Sequence, residues 1–260
     1  MKQDLVQYLH SHDIISRKQF GFQSNIGTYD ALEEFSSFIY KNLDERKKVL
    51  AIFLDFKNAF DSVPHTILLQ KLQHYGIRGN ILKWFESYLQ GRTQTTKYGN
   101  QKSQTLPITT GLPQGSVLGP ILFNIYINDL INVSETLNTT CFCDDSLLFA
   151  SSENLESLVL LFNEELHKIY KWTIANKLVL NTDKTVAMVY SNQKIHTLPP
   201  IFIKNQYTYD RIKRVDHVKY LGVIYDEHLK FKFHVSHICN KLSILSGFFF
   251  KLKFFLPTTS

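Results

Sequence analysis

No apolar run in this sequence approaches the roughly 18 residues that a membrane span needs, and the first residues, Met1-Lys2-Gln3-Asp4, carry no apolar signal core. These absences exclude a membrane-spanning class and lead us to expect a soluble, intracellular protein, with nucleus and cytoplasm left open. Cysteine is scarce as well. Three in 260 residues is an odd number that cannot build a disulfide framework and suits a reducing compartment. Also missing are a repeat at a period of about 20 to 50 residues, a low-complexity tract and a Pro/Gly/Ser-rich linker, so one continuous domain over 1–260 is expected. With 44% hydrophobic and 20% charged residues, the chain is no disordered or fibrous protein and can bury a sizeable core.

Acidic residues are few in one region only. Residues 1–193 hold 18 Lys/Arg against 19 Asp/Glu, whereas residues 194–260 hold 11 against 4, so the whole net charge of +6 is C-terminal. A basic segment beside a neutral body suits a polyanion partner; a solvated face explains the charge equally well.

Val49 to Leu54 reads as a buried strand, a short apolar run between Arg46-Lys47-Lys48 and Asp55. Apolar spacing then predicts helices over 65–75 and 79–90, stopped by Gly76 and Gly91. Short strands are expected over 93–98 and 104–110. Val117 to Leu130 reads as a helix entered through Pro113-Gln114-Gly115-Ser116, with Ser116 as N-cap and Gly119-Pro120 inside. Cys141 to Phe149 reads as a hairpin with Asp144-Asp145-Ser146 at its tip. A helix over 155–174, strands over 186–190 and 218–225, and a long helix over 233–255 complete the pattern. Strands interleaved irregularly with helices imply an α+β fold with a mainly antiparallel sheet.

The chemistry concentrates at two acidic sites on the ends of apolar strands, Asp55 and, 89 residues further on, Asp144-Asp145. Carboxylates gathered at the edge of an apolar core repel one another and take up protons unless a cation neutralises them, and hard oxygen donors select Mg²⁺ or Mn²⁺. Should the strand pair beside the hairpin, the three side chains make a two-metal site for phosphoryl transfer. An Asp-Asp pair is by itself also an ordinary solvated turn. Cys141, Cys143, His234, His237 and Cys239 are zinc-type ligands at a spacing that fits no common finger, and no zinc is expected.

Taken in order, Leu54-Asp55-Phe56-Lys57-Asn58-Ala59-Phe60-Asp61, Gly111-Leu112-Pro113-Gln114-Gly115-Ser116-Val117-Leu118-Gly119-Pro120, Phe142-Cys143-Asp144-Asp145, Asn176-Lys177-Leu178 with Asn181-Thr182-Asp183-Lys184-Thr185, and Val218-Lys219-Tyr220-Leu221-Gly222-Val223 resemble motifs A to E of the reverse transcriptase domain of non-long-terminal-repeat retrotransposons. The likeness runs from about Phe20 to the C-terminus. It implies a right-hand polymerase fold, with fingers and palm interleaved over about 1–225 and an antiparallel palm sheet packed on helices. The palm end and the start of a truncated thumb would occupy about 226–260.

The same resemblance implies an RNA-directed DNA polymerase that transfers nucleotidyl groups from dNTPs to a primer 3′-hydroxyl. Its partners would be an RNA template, a DNA primer and the rest of a retrotransposon polyprotein, with no membrane. Asp55, Asp144 and Asp145, with the Phe56 carbonyl, would hold two Mg²⁺ or Mn²⁺ ions. Phe60 takes the place of a steric gate against the ribose 2′-hydroxyl, which disfavours a ribonucleotide polymerase. Gln114 and Gly115 would contact nucleotide and template, and Lys184 would donate a proton to the leaving pyrophosphate. Departures from the family pattern are Gln23, where an Arg usually follows Gly-Phe, Lys57-Asn58, where Lys usually stands directly before Ala59, and Cys143, where Ala, Val or Met is commoner. Candidate contacts to the nucleic-acid backbone are Arg92, Lys97, Lys102, Arg211, Lys213, Arg214, Lys219, Lys230 and Lys232, with aromatics Tyr207, Tyr209, Tyr220 and Phe231 between them. The competing reading is a catalytically inactive retroelement remnant that only binds nucleic acid.

Overall fold

A computed structural model describes residues 1–195, 197–204 and 208–252. Its elements in order are α1 (Lys2–Ser11), α2 (Thr28–Asp44), β1 (Lys48–Leu54), α3 (His65–His74), α4 (Gly79–Leu89), the two-residue strands β2 (Thr93–Gln94), β3 (Lys97–Tyr98), β4 (Gln101–Lys102) and β5 (Leu106–Pro107), α5 (Gly119–Ile127), β6 (Asn138–Phe142), β7 (Asp145–Ser152), α6 (Leu155–Ala175), β8 (Val186–Tyr190), β9 (Phe202–Lys204), β10 (Tyr209–Arg211), β11 (Lys213–Arg214), β12 (His217–Tyr220), β13 (Val223–Asp226) and α7 (Lys232–Leu252). The predicted α+β class is what forms.

The central sheet has the order β11-β8-β1-β7-β6, antiparallel except for the β11–β8 pair. Its middle strand is apolar at every position after Lys48 because both of its faces are covered, so the usual alternation has no polar side to show. Leu50, Ile52 and Leu54 face a core shared with α3, α4, α5 and α6. Val49, Ala51 and Phe53 face α2 and the β12–β13 hairpin, where Phe35 makes edge contacts with Phe53, Phe149, Tyr190 and Tyr220. The outer edge of β6 is closed by the segment around Gln19, which adds a parallel bridge to Cys141 through Phe20 N–H to the Cys141 carbonyl (2.7 Å) and Cys141 N–H to the Lys18 carbonyl (2.9 Å).

Three stretches differ from their sequence patterns. The helix expected over 117–130 runs as α5 from Gly119 and continues as a 3₁₀ segment over Asn128–Asn132. Pro120 therefore lies in the first turn, where its missing N–H costs nothing, and the Ser116 hydroxyl accepts the Gly119 N–H at 3.0 Å. Residues 93–107 form only paired two-residue strands, exposed throughout, because no apolar face of theirs finds a core. Residues 218–225 fold as the β12–β13 hairpin, turned by Leu221 and Gly222, both at positive φ. Tyr207, the predicted helix end over 253–255 and the last residues 257–260 lie outside the described residues.

Candidate active site

β1 and β7 pair antiparallel with Leu54 opposite Ser146, so the end of β1 and the start of β7 share one edge of the sheet. That register brings Asp55 beside Asp144 and Asp145. Phe142 pairs with Asp145 across the β6–β7 hairpin, which leaves Cys143 and Asp144 as its two-residue turn, with Cys143 in the left-handed region at φ 57°. Cys143 points inward and is buried, while Asp144 and Asp145 reach solvent.

The chain following α6 extends the sheet past the end of β1. Asn181 N–H donates to the Asp55 carbonyl (2.8 Å) and Lys57 N–H to the Val179 carbonyl (2.8 Å), so this pairing does not use the Phe56 carbonyl. Asp55 N–H donates to the Thr185 hydroxyl at 3.3 Å. These bonds set Asn181 and Lys184 next to Asp55, and a cavity of about 570 Å³ is lined by Asp55, Phe56, Phe60, Gln114, Asp144 and Lys184, with Lys57, Asn58, Ala59, Asp61 and Asn181 between them. Asp145 flanks this cavity without lining it. Gly115, at φ 73°, occupies a backbone conformation that a side chain would strain.

Phe60 is half-buried, and its ring stacks on Phe123 with centroids 4.3 Å apart. The loop after β1 and the loop before α5 are joined by Leu112 N–H to the Phe60 carbonyl (2.9 Å), Gly111 N–H to the Val63 carbonyl (2.8 Å) and the Gln114 amide to Asp61 Oδ1 (2.9 Å). Asp61 thus orients Gln114 and also borders a second cavity of about 620 Å³, which contains Arg92 and Gln94. Asp61 stands inside the first acidic motif without a role implied by it, and nothing in its local spacing announces a partner 53 residues away.

Burial, with the charge of Asp55 behind it, holds the Asp144 carboxyl above the ordinary value of 3.8. For Asp145 the causes are burial, then Asp144, then Asp55. Crowded carboxylates with raised proton affinity on an open cavity make a locus that a cation would relieve. Among the described residues, no three His, Cys, Asp or Glu side chains stand as a preformed metal-binding group. The donor set is nonetheless all oxygen, and it fits a hard divalent ion.

The basic candidates are scattered. Lys97 stands directly opposite Lys102 on the exposed β3–β4 hairpin, a like-charge pair that a polyanion would relieve. Lys213 pairs with Val186, two strands from β1 at the same end of the sheet as Asp55, roughly 10 Å away by strand spacing. Arg214 is engaged, its guanidinium paired with Glu227 at 2.8 Å. Gln23 does not reach the carboxylate cavity. Its amide donates to the Gln19 and Ser16 carbonyls, and it lines a separate, mainly apolar cavity of about 280 Å³ with Arg17 and Phe22. No helix of the described residues is long and apolar enough to cross a membrane.

A family described as reverse transcriptase (RNA-dependent DNA polymerase) matches residues 1–225. Among curated proteins, the RNA-directed DNA polymerase from mobile element jockey of Drosophila melanogaster is 26% identical over 232 residues, 86% of this chain and 25% of that protein. Its counterpart from Drosophila funebris is 28% identical over the same shares. A retrovirus-related Pol polyprotein from a type-1 retrotransposable element R1 of Nasonia vitripennis is 32% identical over 140 residues, 53% of this chain and 34% of that protein. The chain spans about a quarter of the length of the jockey proteins it matches. Among solved structures, apo telomerase from Candida tropicalis truncated from its C-terminal domain superposes with a TM-score of 0.57 at 12% identity, over 86% of this chain and 43% of that one. Telomerase from Candida albicans in complex with a fragment of telomeric RNA gives 0.54 at 16% identity, over 86% and 37%. At such identities the likeness is one of fold.

Proposed function

The chain belongs to the reverse transcriptase (RNA-dependent DNA polymerase) family, and from that premise we propose that it performs RNA-directed DNA synthesis, joining a dNTP to the 3′-hydroxyl of a DNA primer on an RNA template. One observation carries this reading: Asp55, Phe60, Gln114, Asp144 and Lys184, far apart in sequence, meet on one cavity. Residues 1–225 act as interleaved fingers and palm, and 226–260 as the palm end and the start of the thumb. The three free cysteines suit the reducing, intracellular setting in which dNTPs are found. The longer polyproteins named among the relatives would supply the remaining functions.

Asp55, Asp144 and Asp145, with the Phe56 carbonyl, would hold the ions, Mg²⁺ or Mn²⁺ and two in number. When bound, these ions supply charge neutralisation at the phosphates and a lowered pKa for the attacking hydroxyl. The side chains around them do the rest. The Phe60 ring, fixed by its stack on Phe123, walls off the space that a 2′-hydroxyl would need. Gln114, held by Asp61, and Gly115 bear on the incoming nucleotide and template. Lys184, an exposed cation at the cavity wall, can hand a proton to the departing pyrophosphate. Arg92 in the adjoining cavity, Lys97 and Lys213 contact the nucleic-acid backbone, whereas Arg214 does so only by leaving Glu227.

Gln23 favours a second reading, a remnant that binds nucleic acid without turnover. With its amide turned into its own loop, the chain has no guanidinium at the position where the family holds triphosphate. Primer extension on an RNA template with residues 1–260 separates the two. We expect extension by the wild type at low salt with Mn²⁺ and none by Asp144→Asn. Equal extension by both removes the carboxylate assignment, and template-primer binding without extension by the wild type selects the remnant. Phe60→Ala should raise ribonucleotide use relative to deoxynucleotide use by roughly 10-fold or more if the ring is the gate. An unchanged ratio removes that role.

A further inference from the structure

The acidic turn is held from behind by a set of buried polar groups. Gln19 is fully buried, and its Oε1 accepts two backbone N–H groups at 3.0 Å each, from Gly21 and from Cys143. Asn124 of α5 is also buried. Its amide donates to the Gly21 carbonyl at 2.5 Å, and its Oδ1 accepts from the Cys143 thiol at 3.5 Å. Gly21 itself lies so close to the turn that a Cβ there would come within 2.6 Å of Cys143 Sγ and 2.7 Å of Cys143 N. Two separate segments, residues 19–21 and α5, therefore converge on Cys143, the residue directly before Asp144.

The backbone of Cys143 needs such a hold. A side-chain-bearing residue at φ 57° is disfavoured, and its N–H, at the start of a two-residue turn, would be unsatisfied without Gln19. Burying two amides is costly. Their bonds go to the acidic turn and to the Gly21 segment against it, so what they hold is the direction in which Asp144 and Asp145 leave the sheet.

We propose that Gln19 and Asn124, acting through Cys143, are positioning residues that set the Asp144-Asp145 turn in the geometry a divalent cation requires. The proposal rests on the reading of those carboxylates as metal ligands. It also gives Cys143 a task that Ala, Val or Met could not perform, because none of those side chains has a hydrogen to donate to Asn124 Oδ1. Outer partners that orient metal ligands are typically worth about 10- to 100-fold in metal affinity.

The test is Mn²⁺ titration of the full chain, followed by electron paramagnetic resonance of the free ion, together with primer extension over a range of Mn²⁺ concentrations. Gln19→Met keeps the volume and removes the accepting oxygen. We expect its Mn²⁺ dissociation constant to rise roughly 10-fold, and its extension rate to return toward the wild-type value at saturating Mn²⁺. A purely structural loss would lower the rate at every metal concentration. Should Gln19→Met fail to fold, Cys143→Ala and Cys143→Ser decide: Ala is expected to weaken Mn²⁺ binding about 3-fold and Ser to restore it. Asp144→Asn serves as the control for the underlying reading. If that variant loses Mn²⁺ binding while Gln19→Met stays within 2-fold of the wild type, or while Cys143→Ala and Cys143→Ser both match it, the positioning role is overturned and the metal site stands. Unchanged binding in Asp144→Asn overturns the metal site and the positioning role with it.

Discussion

Helices α6 and α7 are both 21 residues long and both rich in apolar residues, yet α6 buries nine of its residues and α7 none. In α6, Leu155, Leu158, Val159, Phe162, Leu166, Ile169 and Trp172 fall on one stripe, and that stripe meets the core on one face of the sheet. In α7, Phe233, Val235, Ile238, Leu242, Leu245, Phe248 and Phe249 are exposed, and the helix touches the body chiefly beside β13. Apolar content alone therefore does not make core. A helix is buried when its stripe has a surface to meet, and only α6 has one among the described residues.

The largest test of this contrast is a pair of truncations. Phe162→Ala empties a fully buried site and should cost about 3 to 5 kcal/mol. Phe248→Ala, at a side chain 57% exposed, should stay within about 0.5 kcal/mol. Chemical denaturation of the two variants checks this, and a loss at Phe248 as large as that at Phe162 would mean that α7 is covered in solution.

A smaller effect is expected where α7 joins the body. Asp226 is buried and accepts backbone N–H bonds from His228 (3.1 Å), Lys230 (3.1 Å) and Phe231 (2.6 Å), which ties down the turn that starts the helix. Asp226→Ala should cost about 2 kcal/mol and speed amide exchange through α7 and its turn, leaving α6 protected. Equal loss of protection in both helices would show that Asp226 supports the whole body and not the junction.

The same contrast explains what could be read before folding. Helices α3, α4 and α6 follow from local periodicity, since each has a face whose spacing matches what it packs on, whereas β1 and the arms of the acidic hairpin are legible as short apolar runs bounded by charge. Asp55 and Asp144-Asp145 were legible as chemistry because charge at the end of an apolar run is costly without a purpose. Gln19 was not, for a buried amide in a loop has no period and the partner that matters, the Cys143 N–H, lies 124 residues away. Nor was the engagement of Arg214 by Glu227, which depends on how β13 folds back. Residues 93–107 promised longer strands than they form, because strand pattern without a covering layer sustains only isolated pairs.

The smallest effect concerns the acidic turn, where carboxylates that keep only part of their contact with water again sit without the partner that would favour them. The Asp145 carboxyl has a folded-state pKa above 3.8, first through burial and then through Asp144 and Asp55. A raised value means that the folded state holds this proton more tightly than the unfolded chain, so the ionised form opposes folding. That opposition is fully present above the folded pKa and fades as pH falls through it toward 3.8. Asp145→Asn should therefore raise the melting temperature of the metal-free protein at neutral pH by about 1 to 2 °C, with the gain shrinking as the solution is acidified. Adding Mn²⁺ should reverse the order, because an ion bound only by the folded state stabilises the wild type more than the variant. A variant that melts lower than the wild type without metal would show that Asp145 is held by its surroundings and not strained by them, which would remove the electrostatic reason for a cation at this turn.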